Sequence, residues 1–110
     1  MLRLCKSHEY EAVFAHGRVV SSRLYVVRVK PNDFSQARLG LIASRKALPR
    51  AVDRNRGKRL VREVFRQAHP DLMAMDIVVQ LRAALVRQNN ATARLDLLGL
   101  FCGLGRRQAG

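Results

Sequence analysis

The sequence is poor in the residues that build disulfide scaffolds and membrane spans. Only two of its 110 residues are cysteines, Cys5 and Cys102, and they lie near opposite ends in no metal-binding spacing. A small secreted scaffold normally carries more cysteines, so reduced thiols are expected. No apolar run approaches the roughly 20 residues that a membrane span needs, and the first residues are too charged for a secretory signal. We therefore predict a cytoplasmic protein without a membrane partner.

Acidic and histidine side chains are also scarce, which bears on catalysis. The eight carboxylates are scattered without a paired site, and His8 and His16 have no further ligand between them at metal spacing. Ser44 has no histidine partner in the local sequence. A protein nuclease needs positioned acids, a metal cluster or a nucleophile with a base. We therefore predict no catalytic residue and no metal site in the protein, and we expect the chain by itself to be inactive.

Positive charge is what the sequence has in excess. Lys and Arg number 21 against eight acids, a formal net charge of +13, so some affinity for RNA, DNA or anionic membranes follows from charge alone. Nine of the 21 cations lie in residues 44–66, where only Asp53 and Glu63 oppose them. Most of the cations are arginines, whose planar fork suits bidentate phosphate contacts and stacking on bases.

Read as a helix from about Arg50 onward, this basic segment separates into two faces. The apolar face, suited to docking on a sheet or another helix, carries Gly57, Leu60, Val61, Val64, Phe65 and Ala68. The opposite face carries Asn55, Lys58, Arg59, Arg62 and Arg66. Like charges at i,i+3 and i,i+4 spacing repel at a cost of about a few tenths of a kcal/mol per pair, which a bound polyanion removes. A solvated face is the alternative, but it is usual for mixed-sign runs, so we favour nucleic-acid binding.

The element pattern predicts a single α+β domain over residues 1–110, in the order α-β-β-β-α-β-α with a four-stranded sheet packed by helices. Strands are expected over residues 19–30, in two pieces, over 38–44 and over 76–82. The basic helix, of about 18 residues, joins the last two strands and makes them a parallel pair in a βαβ crossover.

Helix boundaries follow from capping and breaking residues. Ser7 is expected to cap the first helix and Pro70 to stop the basic one. Asn90 or Thr92 is expected to cap a final helix that runs through Leu104. That helix is apolar enough to suggest a membrane-surface or partner helix, but docking against the sheet is favoured because Asp96 and two glycines weaken a membrane role.

Two aromatic side chains are candidates for RNA contact. Tyr10, Val13 and Phe14 share one face of the first helix, and Val13 is assigned to the core. The chain has only six aromatic residues, and rings beside a basic surface stack unpaired bases at about 1 to 3 kcal/mol each. Core packing is the alternative for Tyr10 and Phe14. In the second strand, alternation places Arg28 on the face less committed to a dry core.

The basic segment and the strand before it resemble the signature of the bacterial ribonuclease P protein component. The run Arg54-Asn55-Arg56 is followed by Lys58-Arg59, Arg62-Glu63 and Phe65-Arg66, and preceded by Leu39-Gly40-Leu41 and Ser44-Arg45-Lys46. The pattern R-N-R-x-K-R-x-x-R-E-x-F-R is long enough to be specific, and a weaker resemblance covers nearly the whole chain. Gly57 departs from it, since the family usually carries a branched apolar residue there, and Arg28 stands near a position where the family often has an aromatic.

The resemblance implies the protein subunit of a ribonucleoprotein endonuclease that removes the 5′ leader from precursor tRNA. Its catalytic RNA would bind Mg²⁺ and cleave the phosphodiester, so the implied partners are that RNA and precursor tRNA, with no DNA expected. The family also has a βαβ crossover of the rare left-handed form. The residues assigned to the catalytic RNA are Arg45, Lys46, Arg54, Asn55, Arg56, Arg59, Arg62 and Arg66. Those assigned to a leader cleft are Tyr10, Phe14, Arg28, Arg54 and Lys58. Arg54 and Lys58 could each serve either surface.

Two other binding functions fit a small basic domain. A ribosomal or ribosome-assembly protein is the main alternative, because small basic α+β domains are common in that class. A DNA-binding helix in a major groove is a weaker alternative, because the basic helix lacks a preceding helix and turn at helix-turn-helix spacing. The RNA that co-purifies with the protein would separate the first alternative from a ribonuclease P subunit.

Overall fold

The protein is described from a computed structural model that covers residues 2–4 and 6–104, without the side chains of Leu2 and Asp71. Its strands are β1 (Leu2–Arg3), β2 (Arg18–Ser21), β3 (Tyr25–Pro31), β4 (Arg38–Ile42) and β5 (Met75–Leu81). Its helices are α1 (Ser7–His16), α2 (Ala51–Ala68) and α3 (Asn90–Cys102), with 3₁₀ turns at His69–Asp71 and Ala83–Arg87. Cys102 is exposed at the end of α3, whereas the prediction for Cys5 falls outside the described residues.

The strands form one sheet in the order β1-β4-β5-β3-β2. β4 and β5 are parallel neighbours joined by α2, whereas β3 pairs antiparallel with both β5 and β2. The predicted α+β class, the order of elements and the parallel pair are confirmed. β1, a two-residue strand parallel to β4, adds an edge strand to the four that were predicted. It was not predicted because two residues are too few to show a period. The left-handed sense of the crossover stays a prediction.

The two faces of the sheet carry cores of different size. Tyr25, Val27 and Val29 of β3 point to one face, where they are buried in a large apolar cluster with residues of α2 and α3. The other face carries α1 over a small cluster of three buried residues, Leu4, Val13 and Val78. Arg28 lies on this second, less apolar face, as the alternation along β3 predicted.

Helix α2 buries the predicted apolar stripe. Gly57, Leu60, Val61, Val64 and Phe65 are all buried, and Ala68 packs partly buried against the same cluster. The helix begins after Arg50 and ends at Ala68, just before His69 and Pro70 as predicted. The position of the cationic face is therefore fixed by the burial of the opposite face.

Helix α3 docks on the large core through Ala93, Leu97 and Phe101, so the docking prediction is confirmed. The Tyr25 hydroxyl donates a hydrogen bond to the Ala93 carbonyl at 3.0 Å, and burial raises the pKa of Tyr25 well above its ordinary value. Within the described ranges, no helix is both long and apolar enough to cross a membrane.

The helix caps differ from the predicted ones. The cap of α3 is Asn89, whose Oδ1 accepts from the Thr92 amide at 2.8 Å, rather than Asn90 or Thr92, and the helix ends at Cys102. Ser7 lies inside α1, and the amide of the preceding Lys6 donates to Glu9 Oε1 at 3.0 Å. Asn89 and Asn90 stand next to one another at the start of α3, so sequence alone did not choose between them, and the cap of α1 is Lys6, which is not among the residue types that favour this position.

Gly57 lets α2 approach β5 closely. A Cβ at this position would lie 2.5 Å from Leu81 Cδ1 and 3.1 Å from Leu85 Cδ2, and both leucines are buried. These two side chains therefore take up the space that a branched residue at position 57 would need. Gly99 of α3 offers the contrasting case, because a Cβ there would meet no atom within 4 Å.

The same substitution at these two helical glycines should therefore have opposite effects on stability. Gly99→Ala should stabilise the protein by up to about 1 kcal/mol, since alanine is the better helix former. Gly57→Ala should destabilise it, because overpacking a filled core typically costs about 1 to 3 kcal/mol, more than the propensity gain. Urea denaturation of both variants measures the difference. Equal stabilisation by both would show that Leu81 and Leu85 move aside freely.

Candidate nucleic-acid interface

A strip of cations runs from the turn after β4 along the outer face of α2. Arg45 and Lys46 are exposed in that turn, in which the Ser44 hydroxyl accepts from the Ala47 amide at 3.1 Å. Leu48, fully buried, anchors the turn to the core. On the helix, Asn55, Arg59 and Arg66 are exposed and Lys58 and Arg62 half-buried. The burial of Leu48 and of the apolar stripe thus presents the predicted cations side by side.

Arg54, which was assigned to either RNA surface, is bound to its own loop. Its Nη1 donates to the carbonyls of Leu48 at 2.9 Å and Pro49 at 2.8 Å. The guanidinium therefore holds the loop between β4 and α2 in place. Since this loop carries Arg45 and Lys46, Arg54 also positions the start of the cationic strip.

Arg56 is bound still more extensively inside the protein. Its Nε donates to Asn90 Oδ1 at 2.8 Å, Nη1 donates to the Leu85 carbonyl at 3.3 Å, and Nη2 donates to the Gln88 carbonyl. These contacts tie α2 to the 3₁₀ turn and to the start of α3. Of the predicted RNA contacts, Arg56 is the one whose hydrogen-bonding groups are most fully occupied by the protein itself.

A groove of about 200 Å³ brings part of the two predicted surfaces together. Tyr10 from α1 and Lys58 and Arg62 from α2 lie in one lining, which consists of Arg3, Leu4, Tyr10, Leu39, Leu41, Lys58 and Arg62. Because α1 and α2 cover opposite faces of the sheet, the groove runs around its β1–β4 edge. Lys58 therefore belongs with Tyr10, whereas Arg54 belongs with the loop before α2.

Tyr10 and Phe14 are held by different parts of the sheet. The Tyr10 hydroxyl donates to the Leu4 carbonyl at 3.4 Å, and its ring covers Gly40, where a Cβ would lie 2.8 Å from Tyr10 Cε1. Phe14 is 46% exposed and stacks on Arg28, whose guanidinium carbon lies 4.6 Å from the ring centroid. Each ring thus has its own partner within the protein, and about half of the Phe14 surface stays accessible to a ligand.

Two residues of this surface were missed by the sequence analysis. Gln80 accepts from Arg28 Nη1 at 2.9 Å and so fixes the guanidinium under Phe14. A polar residue inside the apolar strand β5 was the available signal for Gln80. Arg3 lines the groove beside Tyr10, but the two-residue strand that carries it offers no pattern.

The described carboxylates are mostly engaged by the protein's own side chains. Those bound to a partner side chain are Glu9, Asp53, Glu63, Asp76 and Asp96. Over residues 2–4 and 6–104, no group of three or more His, Cys, Asp or Glu side chains is arranged to hold a metal ion. The described residues therefore do not fit a protein-borne Mg²⁺ centre.

Comparison with known proteins identifies the family of this basic α+β domain. The sequence model of the ribonuclease P family matches residues 1–104. The chain belongs to the ribonuclease P protein family. The ribonuclease P protein component of Thioalkalivibrio sulfidiphilus is 44% identical over 96 residues, which cover 87% of this chain and 80% of the relative. That of Chromohalobacter salexigens is 41% identical, covering 90% of this chain and 78% of the relative.

Solved structures of ribonuclease P proteins share the fold. The protein from Thermotoga maritima, solved in complex with 1-(4-fluorophenyl)-2-thiourea, has a TM-score of 0.86 at 31% identity and covers 94% of this chain and 100% of its own. The protein from Staphylococcus aureus has a TM-score of 0.85 at 27% identity and covers 94% of this chain and 97% of its own. The resemblance found in the sequence is confirmed over nearly the whole chain.

Membership in this family settles the class of function. The ribonuclease P protein is the RNA-binding component of an endoribonuclease holoenzyme and works with the ribonuclease P RNA. The predicted role as an RNA-binding subunit of ribonuclease P is confirmed, and the ribosomal alternative is not favoured. The assignments of individual residues to one RNA or another stay predictions.

Arg56 and Arg59 allow a matched test of the division between structural and RNA-binding arginines on α2. Arg59→Ala should leave stability within about 0.5 kcal/mol, since the side chain is exposed. It should also weaken the salt dependence: the negative slope of log affinity for the ribonuclease P RNA against log salt should shrink in magnitude by roughly 0.7 to 0.9, the value of one phosphate contact. Arg56→Ala should cost about 1.5 to 3 kcal/mol of stability, because charge-assisted hydrogen bonds are lost.

Urea denaturation and RNA binding at several salt concentrations measure both quantities. An unchanged salt slope for Arg59→Ala would remove Arg59 from the phosphate-binding strip. An unchanged stability for Arg56→Ala would mean that its three hydrogen bonds are not formed in solution.

Proposed function

We propose that the protein binds the two RNAs of the leader-removing reaction on two adjoining surfaces. The cationic strip of α2 and the turn before it hold the ribonuclease P RNA. The leader cleft, formed by the exposed Phe14 ring on Arg28 and by the groove around the β1–β4 edge, receives the 5′ leader of precursor tRNA. The observation that carries the proposal is the groove itself, in which Tyr10 meets Lys58 and Arg62.

The chemistry of the cleft suits a single strand rather than a duplex. Phe14 offers a half-exposed ring already backed by the Arg28 guanidinium, and an unpaired base can stack on its free side. Lys58 and Arg62 supply charge for the phosphates that follow around the sheet edge. Stacking tolerates any base, so binding through these groups depends little on the leader sequence.

The predicted contacts to the ribonuclease P RNA fall into two groups by their surroundings. Exposed side chains free to meet phosphate are Arg45, Lys46, Asn55, Arg59 and Arg66. Arg54 and Arg56 act chiefly by holding the loop and the start of α3 that flank the strip. Arg62 lies at the boundary, since it is on the strip and also lines the groove.

We assign the cleavage step to the RNA subunit, with Mg²⁺ held by that RNA and by the substrate. The described carboxylates support this assignment, because most of them are bound to cations or hydroxyls of the protein. The protein's part is to bind and orient, and we place this work in the cytoplasm with the precursor transcripts. The protein thus supplies no group to the phosphodiester cleavage.

Purified protein should therefore leave precursor tRNA intact. Addition of the cognate ribonuclease P RNA with Mg²⁺ should give cleavage at the mature 5′ end, because the reacting groups reside in that RNA. Gel analysis of labelled precursor measures both reactions. Cleavage that persists after exhaustive removal of RNA from the protein would contradict the assignment of the cleavage step to the RNA subunit.

The leader surface is tested by removing the Phe14 ring. Phe14→Ala should weaken binding of precursor tRNA to the holoenzyme by about 1 to 3 kcal/mol, the worth of one stacked base. Mature tRNA, which has no leader, should bind the variant and the wild type alike. Phe14→Tyr keeps a ring and should keep the difference between the two tRNAs.

The corresponding change at Tyr10 has a further requirement. Tyr10→Ala opens a half-buried site, so the stability of that variant must be measured beside its affinity. Tyr10→Phe loses only the hydrogen bond to Leu4 and is the ring-retaining control. If Phe14→Ala lowers affinity for precursor and mature tRNA equally, the leader assignment is wrong.

A further inference from the structure

A chain of charged side chains links the first turn of α1 to the sheet. Arg38, at the start of β4, donates through Nε and Nη2 to the two carboxylate oxygens of Asp76, both at 2.8 Å. Its Nη1 donates to Glu9 Oε2 at 2.6 Å. Only 12% of the Arg38 side chain is accessible, so this guanidinium joins two carboxylates away from bulk solvent.

The neighbours of this chain hold it in one arrangement. Asn32 donates to Asp76 Oδ1 at 2.9 Å and accepts from the Phe34 amide at 3.0 Å. The Phe34 ring covers Arg38, with the guanidinium carbon 4.1 Å from the ring centroid. Hydrogen bonds to Asp76 and Glu9 raise the pKa of Arg38 above its ordinary value, so the cation is retained. Arg38 is therefore fixed by the sheet and by the β3–β4 loop before it reaches Glu9.

Apart from the contacts of Tyr10 and Phe14, helix α1 has few residues that fix it on the sheet. Val13 is the one fully buried residue of its ten, and the apolar cluster beneath it has only three buried members. A helix of this length is marginal in water without tertiary support. Glu9 also accepts a hydrogen bond from the Lys6 amide at the start of the helix. It therefore holds this end of α1 through two contacts, one to Arg38 and one to Lys6. Tyr10 is the next residue, and Phe14 lies one turn farther on.

We propose that Arg38 and Glu9 are positioning residues for leader recognition: their ion pair holds α1 so that Tyr10 and Phe14 face the cleft, an inference that rests on the function proposed above. Neither side chain needs to touch RNA. If the pair is weakened, a fraction of the molecules has α1 displaced, and the apparent affinity for the leader falls in proportion to the fraction that remains competent.

Glu9→Gln tests this role because an electrostatic effect and a positioning effect would change the affinity for the leader in opposite directions. Loss of a negative charge beside the cleft would strengthen binding of an anionic leader by simple electrostatics, whereas displaced rings would weaken it. Gln still accepts from the Lys6 amide and leaves the Arg38–Asp76 contact in place, so the fold is kept. Glu11→Gln is the matched control, since Glu11 is exposed on the same helix and its side chain has no hydrogen bond or ion pair among the described residues.

The affinity of the reconstituted holoenzyme for precursor and mature tRNA is the measurement. Glu9→Gln should weaken precursor binding about three- to tenfold, which corresponds to a competent fraction of about a third to a tenth, and leave mature tRNA unchanged. Glu11→Gln should bind precursor as the wild type does or slightly more tightly. Hydrogen exchange should accelerate in α1 of Glu9→Gln and stay unchanged in α2.

A double-mutant cycle separates this inference from the function on which it rests. In a Tyr10→Ala/Phe14→Ala background, Glu9→Gln should cause no further loss, because it acts through the missing rings. Precursor binding by Glu9→Gln at or above the wild-type affinity, a loss that persists without the rings, or faster exchange in α2 as well would overturn the positioning role alone. If removal of the rings itself leaves the difference between precursor and mature tRNA intact, the leader assignment fails and the positioning role with it.

Discussion

Burial of one face of α2 against the sheet is the interaction on which the rest of this structure depends. It is unfavourable to align like-charged side chains along a helix, and here that cost is offset by the apolar stripe from Gly57 to Phe65 packed in the large core. The same packing presents Arg59 and Arg66 to solvent and directs Lys58 and Arg62 to the groove at the sheet edge. The position of the RNA-binding groups is thus set by core packing.

Not all of the arginines are available to bind RNA, because several of them are bound inside the protein. Arg28, Arg38, Arg54 and Arg56 each donate hydrogen bonds inside the protein, and their partners lie respectively in β5, α1, the loop before α2 and the start of α3. The guanidinium groups of Arg38, Arg54 and Arg56 each bridge several acceptors, with a planar fork of donors that a lysine does not have. In this domain, arginine therefore builds the framework of the interface as well as its surface.

Features with a local cause could be read from the sequence. The 3.6-residue period from about Arg50 onward predicted both faces of α2, and the alternation along β3 placed Arg28 and Tyr25 on different faces of the sheet. What could not be read depends on residues far apart in the chain. Arg56 meets acceptors about 30 residues away, Arg38 meets Glu9 and Asp76, and the groove joins residues from β1 to α2. Sequence spacing carries no signal for such contacts, so the assignment of Arg56 to RNA, which followed from the basic helix and the family resemblance, did not include its acceptors inside the protein.

The central claim is that two adjoining surfaces of this domain bind two different RNAs. Photocrosslinking tests it most directly, with a photoreactive phenylalanine analogue placed at Phe14 in one variant and at Arg59 in another, each assembled with the ribonuclease P RNA and a leader-labelled precursor. The Phe14 probe should crosslink to leader nucleotides, and the Arg59 probe to the ribonuclease P RNA. Crosslinks from both positions to the same RNA would contradict the claim.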